Sequence, residues 1–327
     1  MTRRPFLRLC VAGAVFPSVW QAGAAAAQDY PSRPVRLVNG FAPGGAVDAL
    51  SRAVGELLAK KLAQPVVVEN RPGAAGAIAA EAVARSTADG YTLGVLDVGA
   101  LVVNPVLKTN LPYASERDFA FIGPLVRVPL VLVVHPSLAA KSLPELVDKL
   151  RSSPGQFSYG SAGIGSPLHL AMEAFKRASN TFVVHIPYRG AAPAEQDVLA
   201  GRVAMMVIDY NTAVAHLRSG ALVAVAAGTS SRMPGLPTVP TFAESGYPTV
   251  QAMPWLGLVA PAATPQGVIT RATAALRSVM ADGDARMRIE QLGFVPMLGQ
   301  GEDLAALVRD DRNATRILVR ELKISLD

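Results

Sequence analysis

The stretch Phe41-Ala42-Pro43-Gly44-Gly45-Ala46-Val47-Asp48 offers chemistry before any other part of the chain. Its two adjacent glycines stand between a strand-forming run, Val35 to Val38, and a helical pattern that starts near Val47. Glycines there leave backbone N–H groups bare and let a ligand reach the main chain without meeting a Cβ. The positive end of a helix dipole falls on the same spot. A carboxylate or another small anion suits such a place, although Pro-Gly-Gly also builds ordinary turns. A second loop, Gly160-Ser161-Ala162-Gly163-Ile164-Gly165-Ser166, has the same make-up. Ser161, Ser166 and the glycines between them, Gly163 and Gly165, could cradle an anion. Ser166 followed by Pro167 also reads as a helix N-cap, and both roles hold at one helix start.

Two acids, Asp97 and Asp209, fall at the ends of predicted strands. A cleft acid binds an amine or a hydroxyl, and an Asp at that place also simply forms a turn. Asp48, three residues after the glycine pair, complements the helix dipole. His135, His169, His185 and His216 are scattered without a ligand-like pair, so no metal site is expected. The chain has no G-x-S-x-G elbow, no phosphate-loop signature and no H-E-x-x-H. Around Ser161 the first-glycine place is Tyr159, and no histidine partner follows from position. No catalytic residue and no cofactor is assigned.

The elements that must position these loops alternate as β-rich runs and helices, the pattern of a parallel α/β layer. The run Val35 to Val38 is followed by a helix with Leu50, Val54, Leu57, Leu58 and Leu62 at 3–4 spacing. Val66 to Val68 and Tyr91 to Leu96 are further strands, with the glycine loop Asn70 to Gly76 and a helix between them. A right-handed βαβαβ unit places its first strand between the other two. Its crevice then lies where Ala42–Gly45 meets Asp97–Ala100, Gly99 included. The middle of the chain repeats the scheme around Ser158, Phe182 to Ile186 and Val203 to Ile208. The apolar runs Leu130 to Val134 and Trp255 to Ala260 read as strands that cross between two lobes, with a helix from Pro265 to Met280 beyond them.

The N-terminus reads as an export signal. Arg3, Arg4 and Arg8 precede the apolar Leu9 to Val19, and Ala25-Ala26-Ala27 offers cleavage before Gln28. Thr2 to Arg8 is also similar to a twin-arginine signal. Without residues 1–27 no cysteine remains, which excludes disulfides and thiolate chemistry. The net charge falls from +6 to +3, because that segment carries three arginines and no acid. So weak a charge gives no case for nucleic acid. No later run reaches the roughly 18 apolar residues of a membrane span.

Several blocks together resemble a known family. They are Tyr30-Pro31-Ser32-Arg33-Pro34-Val35-Arg36-Leu37, Phe41 to Asp48, Pro65 to Ala74, and Asp89-Gly90-Tyr91-Thr92-Leu93. Asn104-Pro105, Leu111-Pro112-Tyr113, Ser161 to Ser166 with His169-Leu170, Pro187-Tyr188-Arg189-Gly190, Pro237 to Thr241 and Leu258 to Pro261 continue the match. In order and combination they look like the solute receptors of tripartite tricarboxylate transporters, the Bug family. The resemblance implies an α/β, two-lobed periplasmic binding fold of the Venus-flytrap type, each lobe a mostly parallel sheet flanked by helices. Lobe one would hold residues 28–125 and 253–327, and lobe two residues 126–252.

It also implies a monomeric, non-enzymatic receptor for a small organic acid, working with the membrane permease of such a transporter or with a sensor ectodomain. A small-acid hydrolase or lyase is the alternative from another class. By matching position one carboxylate would lie between Phe41, Ala42, Gly44 and Gly45 on one lobe and Ser161, Ala162, Gly163, Gly165 and Ser166 on the other. Asp209 would orient the far end of the ligand. The sequence departs from the family at Asn39-Gly40, at Asp97-Val98-Gly99-Ala100 and at Ile164. Those changes remove hydroxyl donors and add a carboxylate at Asp97, which predicts a ligand with one carboxylate plus an amine, a hydroxyl or an apolar body.

Overall fold

A computed structural model describes residues 30–250 and 252–322; the expected signal segment lies outside them. In chain order the strands are β1 (Val35–Asn39), β2 (Val66–Asn70), β3 (Thr92–Asp97), β4 (Phe119–Arg127), β5 (Leu130–Val134), β6 (Ser158–Ser161), β7 (Val184–Pro187), β8 (Met205–Asp209), β9 (Val223–Ala227), β10 (Trp255–Pro261) and β11 (Val295–Pro296). The α-helices are α1 (Ala46–Leu62), α2 (Ala77–Ala84), α3 (Asn104–Leu107), α4 (Ser115–Asp118), α5 (Leu143–Ser152), α6 (Pro167–Ser179), α7 (Ala191–Leu199), α8 (Tyr210–Ser219), α9 (Gln266–Ala281), α10 (Gly283–Gln291) and α11 (Gly301–Leu322).

Two sheets result. The first runs β11-β4-β10-β3-β1-β2 and the second β7-β6-β8-β5-β9. β1 pairs in parallel with both β2 and β3, so the first strand does sit between its two successors. In the second sheet β6 lies in the same way between β7 and β8, again in parallel. The leucine stripe of α1 (Leu50, Val54, Leu58, Leu62) is buried against the first sheet, and Ala63 ends that helix in the left-handed region. Ser166 caps α6, its Oγ accepting the His169 N–H.

The two apolar runs expected to cross between lobes do not cross. β5 lies wholly in the second sheet and β10 wholly in the first, each buried along its full length. Such runs belong at sheet centres, because both of their faces must leave water. The crossing is made by short links instead, and these bond to each other: Val128 N–H donates to Pro254 O at 2.7 Å and Leu130 N–H to Ala252 O at 3.3 Å. The pairing places Asp209 opposite Leu130 and Asp97 opposite Leu256. Both acids therefore stand at strand ends beside the links, one on each sheet. No described helix is long and apolar enough to cross a membrane.

Candidate functional site

The first glycine loop follows Asn39 and opens α1. Gly44 takes φ +83°, a value open to glycine, and Gly45 is the N-cap. A carboxylate inside the loop fixes its shape. Asp48 is buried; its Oδ2 accepts the Gly44 N–H and Arg52 Nε, each at 3.0 Å, and its Oδ1 accepts Asn70 Nδ2 at 2.8 Å. Asn70 Nδ2 also donates to Phe41 O, and the Phe41 N–H donates to Asn39 Oδ1, both at 3.0 Å. Burial pushes the Asp48 carboxyl up, but hydrogen bonds from Arg52, Gly44 and Asn70 outweigh it and hold the group below its ordinary range. Gly44 therefore spends its N–H internally and serves the loop by its backbone angle. Among the described residues the Ala42 and Gly45 amides carry no protein partner, so they are the loop's open donors. Phe41 is half-buried while Ala42, Gly44 and Gly45 are exposed.

The second loop is built alike. Gly163 and Gly165 take φ +124° and +76°. The Ser161 side chain is fully buried; its Oγ accepts the Gly163 N–H at 3.2 Å and lies 2.7 Å from His185 Nε2. Position along the chain offers no histidine to Ser161, so His185 is a correction: the parallel pairing of β6 with β7 brings it there across 24 residues. The Gly165 N–H donates to His169 Nδ1 and the Ser166 N–H to Gly163 O, both at 3.1 Å. Among the described residues, the open amides of this loop are those of Ala162 and Ile164. Each loop thus ends a parallel strand, starts a helix and keeps two N–H groups unengaged, which is the making of an anion site.

The two acids differ in their surroundings. Asp97 Oδ1 accepts the Ala100 N–H at 2.9 Å, which ties the carboxylate to the start of the π-helical turn Gly99–Val103. Gly76, at φ +83°, packs so close that a Cβ there would stand 3.2 Å from Asp97 Oδ1. Burial raises this carboxyl to about 6 despite the amide bonds. Asp209 opens α8 without capping it, and among the described residues its carboxylate meets no hydrogen-bond donor or cation. Burial, and then the negative charge of Glu195, raise it to about 6. Glu195 is itself buried, faces His216 at 3.1 Å, and is raised by its burial. Of the two acids, Asp209 is the one that still needs a donor.

Next to it, Asn211 on α8 donates through Nδ2 to Leu292 O, just past the end of α10. Gly293 has φ +76°, and a Cβ there would collide with Asn211. Gly293→Ala is expected to part this bond and loosen the approach of the two lobes, lowering ligand affinity severalfold. Small-angle scattering would show it as a larger radius of gyration; an unchanged radius and affinity would rule out a role for this contact. Elsewhere Arg177 on α6 pairs with Glu321 on α11. Among the described residues no group of three or more His, Cys, Asp or Glu is placed to hold a metal ion.

The chain is similar to known proteins over most of its length. Residues 50–324 match the family model described as the tripartite tricarboxylate transporter family receptor. Protein BugT of Bordetella pertussis (strain Tohama I) is 33% identical over 314 residues, covering 96% of each chain. Among solved structures, Rpa4515 of R. palustris with adipate is 30% identical with a TM-score of 0.83, over 91% of this chain and 99% of that one. MatC of Rhodopseudomonas palustris with bound malate is 31% identical with a TM-score of 0.76, over 89% and 100%. The two-lobed α/β fold, the order of its motifs and the extent of these matches lead to one conclusion: the chain belongs to the tripartite tricarboxylate transporter receptor family, the Bug-type solute receptors.

Proposed function

We propose that this protein is an exported, periplasmic receptor that closes its two lobes on a small organic acid and hands it to the permease of a tripartite transporter. The observation that carries the reading is the matched pair of loops, each a strand end and helix start with two open amides. One carboxylate held between them would receive Ala42 and Gly45 from one lobe and Ala162 and Ile164 from the other. Adipate, present with one relative, and malate, bound by another, are acids of this class. Closure around the anion strengthens each amide contact, since water leaves and the local dielectric falls.

At the far end the chemistry points to a donor on the ligand. The Asp209 carboxylate has no donor of its own among the described residues, so an amine or hydroxyl would satisfy it, whereas a second bare carboxylate would be repelled above about pH 6. In this proposal Asp209 takes the role of ligand reader, and Asp97 shapes the neighbouring loop. The Ser161–His185 contact is the observation that would favour hydrolysis. Ser161 is wholly enclosed, however, and its Oγ is already tied to Gly163, so no substrate carbonyl reaches it without the loop being dismantled.

A thermal-shift screen against mono-, di- and hydroxycarboxylates and amino acids tests the reading. A ligand at about a hundred times its Kd adds roughly 2.7 kcal/mol to stability. The expected result is a shift with at least one hydroxy or amino acid, and none with the corresponding amides. Absence of any shift across the carboxylates would refute the receptor reading. Uptake of the same acid in cells lacking this protein is expected to fall to background, which tests delivery.

A further inference from the structure

Two histidines stand directly behind the second loop. His169 on α6 and His185 on β7 stack with ring centroids 4.2 Å apart and planes at 24°, and Tyr159 covers His185 at 4.7 Å. Each ring holds one end of the loop. His185 Nε2 lies 2.7 Å from Ser161 Oγ, which in turn accepts the Gly163 N–H. His169 Nδ1 accepts the Gly165 N–H at 3.1 Å, while the His169 amide donates to Ser166 Oγ. A loop with two glycines at positive φ has little shape of its own, because glycine leaves many backbone states open. Something outside the loop must choose which amides turn inward and which outward. The stack makes that choice: it engages Gly165 directly and Gly163 through Ser161, and it leaves Ala162 and Ile164 open.

We propose that His169 and His185 are a positioning pair, which mounts the Ser161–Ser166 loop so that its Ala162 and Ile164 amides meet the ligand carboxylate. This rests on the reading of that loop as a carboxylate jaw. Neutral rings are required, since Nδ1 of His169 accepts a hydrogen bond only through its free lone pair. The surroundings supply that state. Burial and then His185 push His169 down to about 4, and burial lowers His185. The charged and titratable groups facing the stack are Tyr159, Glu173 and Lys176. Glu173 is occupied at 2.5 Å by both the Tyr159 hydroxyl and Lys176, so the acid nearest the rings is neutralised by its own partners. His169 is accordingly assigned the tautomer with its proton on Nε2.

The test compares His169→Leu, His169→Asn, His185→Leu and His185→Gln in the full mature chain, each checked for a native melt. Asparagine places an amide oxygen near the site of Nδ1, and glutamine places a polar group near Nε2. Two readouts are used: calorimetric titration with malate and with adipate, and hydrogen exchange of the Gly165 amide by NMR. In His169→Leu, Gly165 exchange is expected to rise at least tenfold, and affinity for whichever acid the parent binds to fall at least tenfold. His169→Asn is expected to restore most of both, His185→Gln to outperform His185→Leu, and the parent's 15N spectrum to show the Nε2–H tautomer of His169. Leucine variants with unchanged exchange and unchanged affinity, or an Nδ1–H tautomer in the parent, would overturn the assignment. Where the parent binds neither acid, the acid that gives the thermal shift replaces them in the titration; if no carboxylate binds at all, the carboxylate reading fails, and Gly165 exchange alone decides whether the histidines mount the loop.

Discussion

Asp48→Ala is expected to lower stability by about 3 kcal/mol and to weaken binding of the organic acid at least tenfold. The substitution strips the acceptor from the Gly44 amide, Asn70 Nδ2 and Arg52 Nε at once. A hydrogen bond to a charged partner contributes ~1.5–3 kcal/mol, and partial rehydration of the exposed loop returns some of what is lost. Binding suffers because Asn70 then no longer ties Phe41 O to α1, so the Ala42 and Gly45 amides must be ordered by the ligand itself. The folded-state carboxyl is held below its ordinary value, so its stabilisation is present above about pH 4 and is lost as pH falls through the lowered value. The gap between parent and variant should therefore narrow in acid. Equal melting temperatures at pH 7, together with equal affinity, would show that the loop needs no internal acid.

Asp209→Asn should act in the opposite direction on stability. The carboxyl is raised from 3.8 to about 6 by burial and by Glu195, so ionising it at neutral pH costs the folded state. A rise of that size corresponds to ~3 kcal/mol, an upper figure because the side chain retains some contact with water. A raised acid contributes stability that is complete below the unfolded value near 4 and is lost as pH climbs through about 6. The amide variant is accordingly expected to melt higher than the parent at about pH 7–8 and to converge with it below about pH 4. Its affinity for acids bearing an amine or hydroxyl is expected to drop about tenfold, a cost typical of sites that keep an unsatisfied group for their ligand. A variant no more stable at pH 8 than at pH 4, relative to the parent, would mean that Asp209 is already paired in solution.

Much of the molecule is readable in its amino acids, for reasons that differ from part to part. The βαβαβ opening is legible because α1 writes its buried face in leucines at 3–4 spacing and its strands are short β-branched runs. Both glycine loops announce themselves by composition. β4 is harder to see: Gly123-Pro124 interrupts it, and the pairing with β10 shifts register at Leu256/Gly257, where the ladder must accommodate the proline. α11 buries Leu304 and Val308 within a strongly charged segment that dilutes its apolar stripe. The supports of the site are the least visible. Asn70 reaches Asp48 across 22 residues and His185 reaches Ser161 across 24, and no local rule of spacing foretells a contact that strand pairing alone creates. The Asp97 turn is one of the two readings its position allows, and the Ala100 amide that forms it is placed by the backbone of the following turn, which no spacing rule specifies.

The position of β10 has a consequence for how the molecule is made. This strand lies between β4 and β3 in the first sheet, yet it is synthesised after every strand of the second sheet. Until residue 261 has emerged, β3 and β4 have no common neighbour, and their apolar edges stay open. The second sheet uses only residues 130–227 and has all its strands earlier. Chain order and architecture are thus inverted: the inserted sheet draws all its strands from one continuous stretch, whereas the N-terminal sheet can be closed only by a strand that comes after that stretch.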